Sequence, residues 1–266
     1  MQVAGKVVVV TGGANGIGRA LCEAFHRAGA AKVVVADLDL AGAEAVAASV
    51  EGAAFKCDVG QEKDIRHVIE ETERQFGPIA LFCSNAGIVG GFDPLSVNAG
   101  GTSDEPWQRS WAIHVMAHVY AARALVPGML QRKSGYLLNT ASAAGLLASM
   151  GSAPYGVTKH AAVALAEHLS IQYGDKGICV SVLCPQAVDT NMLRMAGATA
   201  ASVDGVLNTD AVAQTVIDVM DAETFLILPH PEVKEYLTRK TGDHDRWLRG
   251  MRRLRDKSGE GQRRQQ

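Results

Sequence analysis

Short apolar runs alternate with longer stretches of helical periodicity along almost the whole chain. The runs at Lys6–Val10, Lys32–Ala36, Ala53–Lys56, Ala80–Ser84, Gly135–Thr140, Cys179–Cys184 and Phe225–Leu228 predict seven strands. They are apolar on both faces, as strands are in a parallel sheet covered by helices on both sides. Helical patterns begin near Gly16, Ala41, Gln61, Asp104, Tyr155 and Asp210. This alternation predicts an α/β fold, a single doubly wound parallel sheet flanked by helices. Such sheets bind ligands outside the carboxyl ends of their strands, so chemistry is expected just after each strand.

Three stretches break the beat. Residues 88–103, rich in Gly, Asn and Ser, predict a loop over the site. Residues 191–209 are small and flexible and predict a substrate lid. The polar stretch 257–266 predicts a disordered tail. Residues 1–256 therefore read as one domain, and 266 residues suffice for one large core. Charged residues make up 20% of the chain and the net charge is −2, which points to neither nucleic acid nor a membrane. No apolar run is long enough to span a bilayer. The first strand is not preceded by a basic segment and a long apolar stretch, so no signal peptide is expected. Cys22, Cys57, Cys83, Cys179 and Cys184 are odd in number and lack close pairing motifs, which fits free thiols in a reducing cytoplasm.

Candidate chemistry falls at the strand ends. Thr11-Gly12-Gly13-Ala14-Asn15-Gly16-Ile17-Gly18 follows the first strand and opens a helix. Glycines there permit a tight turn and close approach of backbone to a pyrophosphate, whose charge the helix N-terminus favours. Gly12, Asn15, Gly16, Ile17 and Gly18 are the candidate cofactor residues of this turn. Asp37, followed by Leu38, ends the second strand. A carboxylate at that position binds the adenine ribose hydroxyls and repels a 2′-phosphate, which predicts NAD rather than NADP. Tyr155 and Lys159 lie one helical turn apart on one face, and Ser142 follows the fifth strand. A lysine cation and an oxidised nicotinamide would bring a phenol from about 10 into the range of about 7 to 8, making it an acid–base group near neutral pH.

This set, in this order and spacing, resembles the short-chain dehydrogenase/reductase family, over Lys6 to about Leu228. The resemblance implies a Rossmann-like domain and carries further residues with it. Asp58, next to Val59 after the third strand, matches the residue that contacts adenine. Asn85-Ala86-Gly87 matches the family's Asn-Ala-Gly motif, although the preceding position is Ser84. Pro185, Val188 and Thr190 match the stretch that meets the nicotinamide carboxamide, with Gln186 where the family has glycine. The resemblance implies that Ser142 orients the substrate oxygen, that Tyr155 is the acid–base group, and that Lys159 lowers the tyrosine pKa and holds the nicotinamide ribose. The family's catalytic asparagine falls on His114, seven residues after Trp107, and His114 is expected to replace it in a proton relay. His114 and His118 are one turn apart, but a third ligand is not evident and a metal is not expected.

The implied function is NAD-dependent interconversion of a hydrophobic secondary alcohol and its ketone. An NADH-dependent ketone or 3-oxoacyl reductase is the nearest alternative, and a non-catalytic dinucleotide-sensing protein is an alternative of another class. Val89, Ala144, Leu146, Met150, Met192, Leu193 and Met195 are candidate pocket residues, and no arginine is evidently placed for a substrate carboxylate. Family resemblance implies a homotetramer or homodimer through the helices that begin near Asp104 and Tyr155. Residues 239–266 hold ten Lys/Arg and four Asp/Glu, a local net of +6 that leaves −8 on the remainder. Within them Trp247, Leu248, Met251 and Leu254 form one stripe of a helix over about 244–256. A surface helix packed on its own domain is the plainest reading. Docking on a partner subunit, covering the pocket and binding a polyanion stay open.

Overall fold

The structure is a computed structural model and describes residues 1–92, 102–196 and 202–258. Seven strands form one sheet in the order β3-β2-β1-β4-β5-β6-β7. They are β1 (Val7–Thr11), β2 (Lys32–Asp37), β3 (Ala53–Lys56), β4 (Ile79–Ser84), β5 (Gly135–Thr140), β6 (Ile178–Leu183) and β7 (Leu226–Ile227), all parallel. The chain runs outward from β1 to β3, returns to the other side of β1 as β4, and runs outward again. The crevice at the carboxyl ends of β1 and β4 is the switch point where such sheets bind ligands.

The core lies in two layers. Val8 and Val10 join Leu81, Cys83 and Leu138 beneath α1 (Gly16–Arg27), α2 (Leu40–Ser49) and α8 (Thr209–Met220), through Leu21, Phe25, Val46 and Val216. Val7, Val9, Phe82 and Leu137 face α3 (Glu62–Phe76), α5 (Ala117–Arg132) and α6 (Ala153–Tyr173), through Ile65, Leu125, Met129 and Ala166. Burying each large apolar side chain contributes about 1.5–3 kcal/mol, so the central strands carry much of the stability.

All seven predicted strands form, with ends shifted by a residue or two. β3 departs from the expectation of burial on both faces: it is the sheet edge, and Lys56 is exposed. α4 (Asp104–Trp111) leads into a π-helical turn, Ala112–Met116, and then α5. α7 (Asn191–Ala196) occupies part of the expected lid, and residues 197–201 of it lie outside the described residues. Residues 93–101 of the expected loop lie outside them too. α9 (Glu232–Gly242) was not evident from the pattern, because Val233 is its one buried residue. α10 (His244–Ser258) extends two residues into the predicted tail, whose remainder, 259–266, lies outside the described residues. It packs against α9, and its Trp247, Met251 and Leu254 line the crevice.

Candidate active site

One cleft of about 2090 Å³ opens at the switch point. It is lined by Gly12, Asn15, Gly16, Ile17 and Gly18, by Asp37, Leu38, Asp58 and Val59, and by Asn85, Ala86 and Gly87. Ser142, Tyr155, Lys159, Pro185, Val188 and Thr190 complete the wall. Every predicted site residue except His114 lines this cleft.

The glycine turn is shaped by contacts a side chain would destroy. Gly12 has φ +66°, and a Cβ on it would lie 2.8 Å from the Ala86 backbone. A Cβ on Gly18 would overlap the Gly12 carbonyl and come within 2.6 Å of Asn85 Nδ2. α1 has no acidic residue in its first turn, so its free N–H groups present uncompensated positive charge to the cleft. Asp37 is fixed by its neighbours: Oδ2 accepts from the Ala14 N–H (2.9 Å) and Oδ1 from the Asp39 N–H (3.0 Å). Asp58 Oδ1 accepts from the Gly60 N–H at 3.0 Å. Asn85 ties three strand ends together, its Nδ2 donating to Thr11 O (3.1 Å) and its Oδ1 accepting from Thr140 Oγ1 (3.2 Å). Open glycine backbone, a free helix N-terminus and a strand-end carboxylate fit a nicotinamide dinucleotide.

Ser142, Tyr155 and Lys159 lie on the β5–β6 side. Ser152 caps α6: its Oγ accepts from the Tyr155 N–H (3.2 Å) and donates to Gly90 O (2.7 Å). That bond and Pro154 in the first turn start the helix so that Tyr155 faces the cleft. Ser142 Oγ is held by the Ala144 N–H at 3.1 Å. Lys159 is buried, donates to Thr140 O at 3.1 Å, and lies 5.7 Å from the Tyr155 ring centre. Burial pushes Lys159 down to about 8. Burial also raises the Tyr155 phenol above its ordinary value, while the Ser142 hydroxyl pulls it back. Burial outweighs the other influences on the phenol, so the lowering expected from Lys159 is not seen.

His114 departs from the relay expected of it. It lies on the π-helical turn, fully buried behind the cleft wall. Its Nε2 accepts from the Ile88 N–H at 3.1 Å. Thr158 Oγ1 donates to Pro154 O (2.7 Å), so at 2.8 Å from His114 Nδ1 it can only accept from the ring. These bonds fix the neutral Nδ1–H tautomer. Burial, with Lys159 beside it, holds the ring well below its usual pKa. Both nitrogens are engaged, leaving none for a relay or a metal. The ring meets Tyr155 edge-on, centroids 5.6 Å apart. His114 thus braces Tyr155 against the backbone that follows the Asn-Ala-Gly turn.

Of the predicted pocket residues, Val89, Ala144, Met150, Met192 and Leu193 line the cleft. Leu146 does not, and Met195 is exposed on α7. Residues not foreseen complete the site. Ser152 had a readable signal, a serine ahead of Pro154 at a helix start. Thr158 and the Ile88 N–H had none, whereas the stripe of α10 was readable and covering the pocket was one of the readings left open.

The profile of the short chain dehydrogenase family matches residues 6–201. A 1-deoxy-11-beta-hydroxypentalenate dehydrogenase of Streptomyces exfoliatus is 33% identical, covering 88% of this chain and 86% of its own. A 2,5-dichloro-2,5-cyclohexadiene-1,4-diol dehydrogenase of Sphingobium indicum is 36% identical over 78% of this chain and 82% of its own. A solved short chain dehydrogenase/reductase of Burkholderia phymatum, in complex with NAD, superposes with a TM-score of 0.79 at 26% identity, covering 92% and 96% of the two chains. The chain belongs to the short-chain dehydrogenase/reductase family, an oxidoreductase family that binds a nicotinamide dinucleotide.

Proposed function

We propose that the chain oxidises an apolar, alicyclic or aromatic secondary alcohol to its ketone with NAD. The observation that carries this reading is the convergence of Ser142, Tyr155 and Lys159 on one cleft with the glycine turn and Asp37. When bound, NAD supplies the hydride acceptor and, in its oxidised form, a positive charge beside the phenol. Ser142 Oγ positions the substrate oxygen. Tyr155 Oη takes the hydroxyl proton as the carbinol carbon gives up hydride. Lys159 supplies positive charge to the phenolate and reaches the nicotinamide ribose. Asp37 holds the adenine ribose and disfavours a 2′-phosphate. The apolar wall of Val89, Met150, Met192 and Leu193 suits an apolar body, and methionines adapt to irregular shapes. Both similar dehydrogenases are named for hydroxylated substrates, one of them a cyclohexadiene diol, which supports an alicyclic alcohol.

The five cysteines are unpaired, as in a reducing cytoplasm. Exposed Trp111 on α4 and Val157 and Ile171 on α6 provide apolar surface for a homodimer or homotetramer. The test is NADH formation from NAD⁺ and NADPH formation from NADP⁺ across a panel of alicyclic and aromatic secondary alcohols. Turnover that prefers NAD⁺ supports the reading. A preference for NADP⁺ would overturn the role of Asp37, and ketone reduction without measurable alcohol oxidation would overturn the direction.

A further inference from the structure

One wall of the cleft is α10, which the hydride chemistry leaves without a role. Lys240 at the end of α9 fixes where α10 begins. Its ammonium donates to the carbonyls of Leu146 (2.7 Å) and Leu147 (2.8 Å), in the segment that follows Ser142. α10 therefore starts beside the substrate end of the cleft and extends about 22 Å along its mouth. Trp247, Met251 and Leu254 line the cleft as an apolar stripe, with Gly250 between them.

The charges on this helix are lopsided. Arg246, Arg249, Arg252, Arg253, Arg255 and Lys257 face only Asp245 and Asp256. Three of these cations, Arg246, Arg253 and Arg255, line the cleft, the first two seven residues apart, about 10 Å along the axis. Neither Arg246 nor Arg253 has a carboxylate within ion-pair reach among the described residues, whereas Arg239 pairs with Glu235 and Arg255 with Asp256. Two carboxylates share this edge: Asp243, whose Oδ1 accepts from the Arg246 backbone N–H at 2.9 Å, and Asp256, which pairs with Arg255, so the cations lining it outnumber them. An apolar stripe carrying two unpaired guanidinium groups matches a ligand with an apolar body and an anionic end, because the guanidinium fork pairs with carboxylate or phosphate oxygens.

We propose that Arg246 and Arg253 form an anion-binding edge of the substrate pocket, so that the preferred alcohol carries a carboxylate at the end remote from its hydroxyl. This rests on the alcohol oxidation proposed above and names its substrate class. It runs against the expectation that no arginine is placed for a substrate carboxylate, since Arg246 and Arg253 line the cleft.

The probe is lithocholate, whose secondary hydroxyl and carboxylate lie at opposite ends of a rigid apolar body, compared with its neutral primary amide. With NAD⁺ and the full chain, KM for the carboxylate is expected about tenfold or more below that for the amide, as a charge-assisted contact gives. In the Arg246→Ala/Arg253→Ala double variant the ratio falls toward one. Binding read from Trp247 fluorescence in the presence of NADH is expected to show the same selectivity and its loss, with Trp247→Phe identifying the signal. An unchanged ratio overturns the proposal, as does weaker NAD⁺ binding with the ratio intact, which would assign the arginines to the cofactor. If neither compound turns over, the titration decides, and equal or absent quenching by the two overturns the anion edge. Failure of the oxidation itself shows separately, as no turnover of any neutral alcohol in the panel.

Discussion

Replacing Lys159 by methionine removes a charge that the fold holds at a cost. Lys159 is 3% exposed, and burial lowers its pKa from 10.5 to about 8. That fall corresponds to about 3 kcal/mol of penalty on the charged form. Below about pH 8 the folded chain carries the full penalty. Between about pH 8 and 10.5 the folded chain sheds the proton while the unfolded chain keeps it, so stability rises with pH. The contribution is complete above 10.5 and is lost as pH falls through 8. Neighbouring groups change the stability of both proteins alike in this window, so their contributions cancel in the difference between variant and parent. Burial holds His114 and His118 below the usual histidine range, raises Tyr155 and pushes Cys184 up to about 12. Lys159→Met also loses the bond to Thr140 O, about 1 kcal/mol, but a neutral amine donates there too, so that loss changes little with pH. Urea unfolding of both proteins without nucleotide, from about pH 7 to about pH 10.5, gives the difference directly. The stability of Lys159→Met relative to the parent should fall by about 3 kcal/mol across this range. Parallel curves would refute the reasoning, because Lys159 would then carry its charge without penalty.

Gly18→Ala should lose about 3 kcal/mol or more by urea unfolding, since its Cβ overlaps the Gly12 carbonyl. Gly174→Ala, at φ −60° with nothing within 4 Å of its Cβ, should be neutral or slightly stabilising, and equal effects of the two would discredit the close packing of the turn. His114→Asn keeps an acceptor for the Ile88 N–H and a donor for Thr158, so kcat should stay within about tenfold of the parent, with the same pH profile from about pH 6 to 9. His114→Leu orphans both partners and should lower kcat and stability together, by about 1–3 kcal/mol for each orphaned group. A pH profile that changes in His114→Asn would restore the relay.

The strands were legible because parallel strands buried on both faces read as unbroken apolar runs, as Val7–Val10 and Val33–Ala36 do. The Ser142, Tyr155 and Lys159 set was legible because its spacing follows from one strand end and one helical turn. The role of His114 was not. Its ring partners, Ile88 and Thr158, are 26 and 44 residues away in sequence, and the π-helical turn that buries it is a shift of backbone register without a composition signal. α9 escaped because it buries almost nothing. The stripe of α10 was visible as Trp247, Leu248, Met251 and Leu254, of which Leu248 is exposed and outside the cleft lining, because amphipathicity alone does not tell which surface a stripe faces. The Lys240 anchor, which turns that stripe toward the cleft, is a contact over more than 90 residues.

The central claim is that the Tyr155 hydroxyl moves the proton while other groups bind and orient. Tyr155→Phe keeps the ring and removes only that oxygen. NADH affinity by titration and alcohol turnover should be measured on the same preparation. The account predicts NADH binding within about threefold of the parent and kcat lower by about 1000-fold, the scale of a lost general acid–base group. A variant that binds NADH and keeps kcat within tenfold of the parent would contradict it.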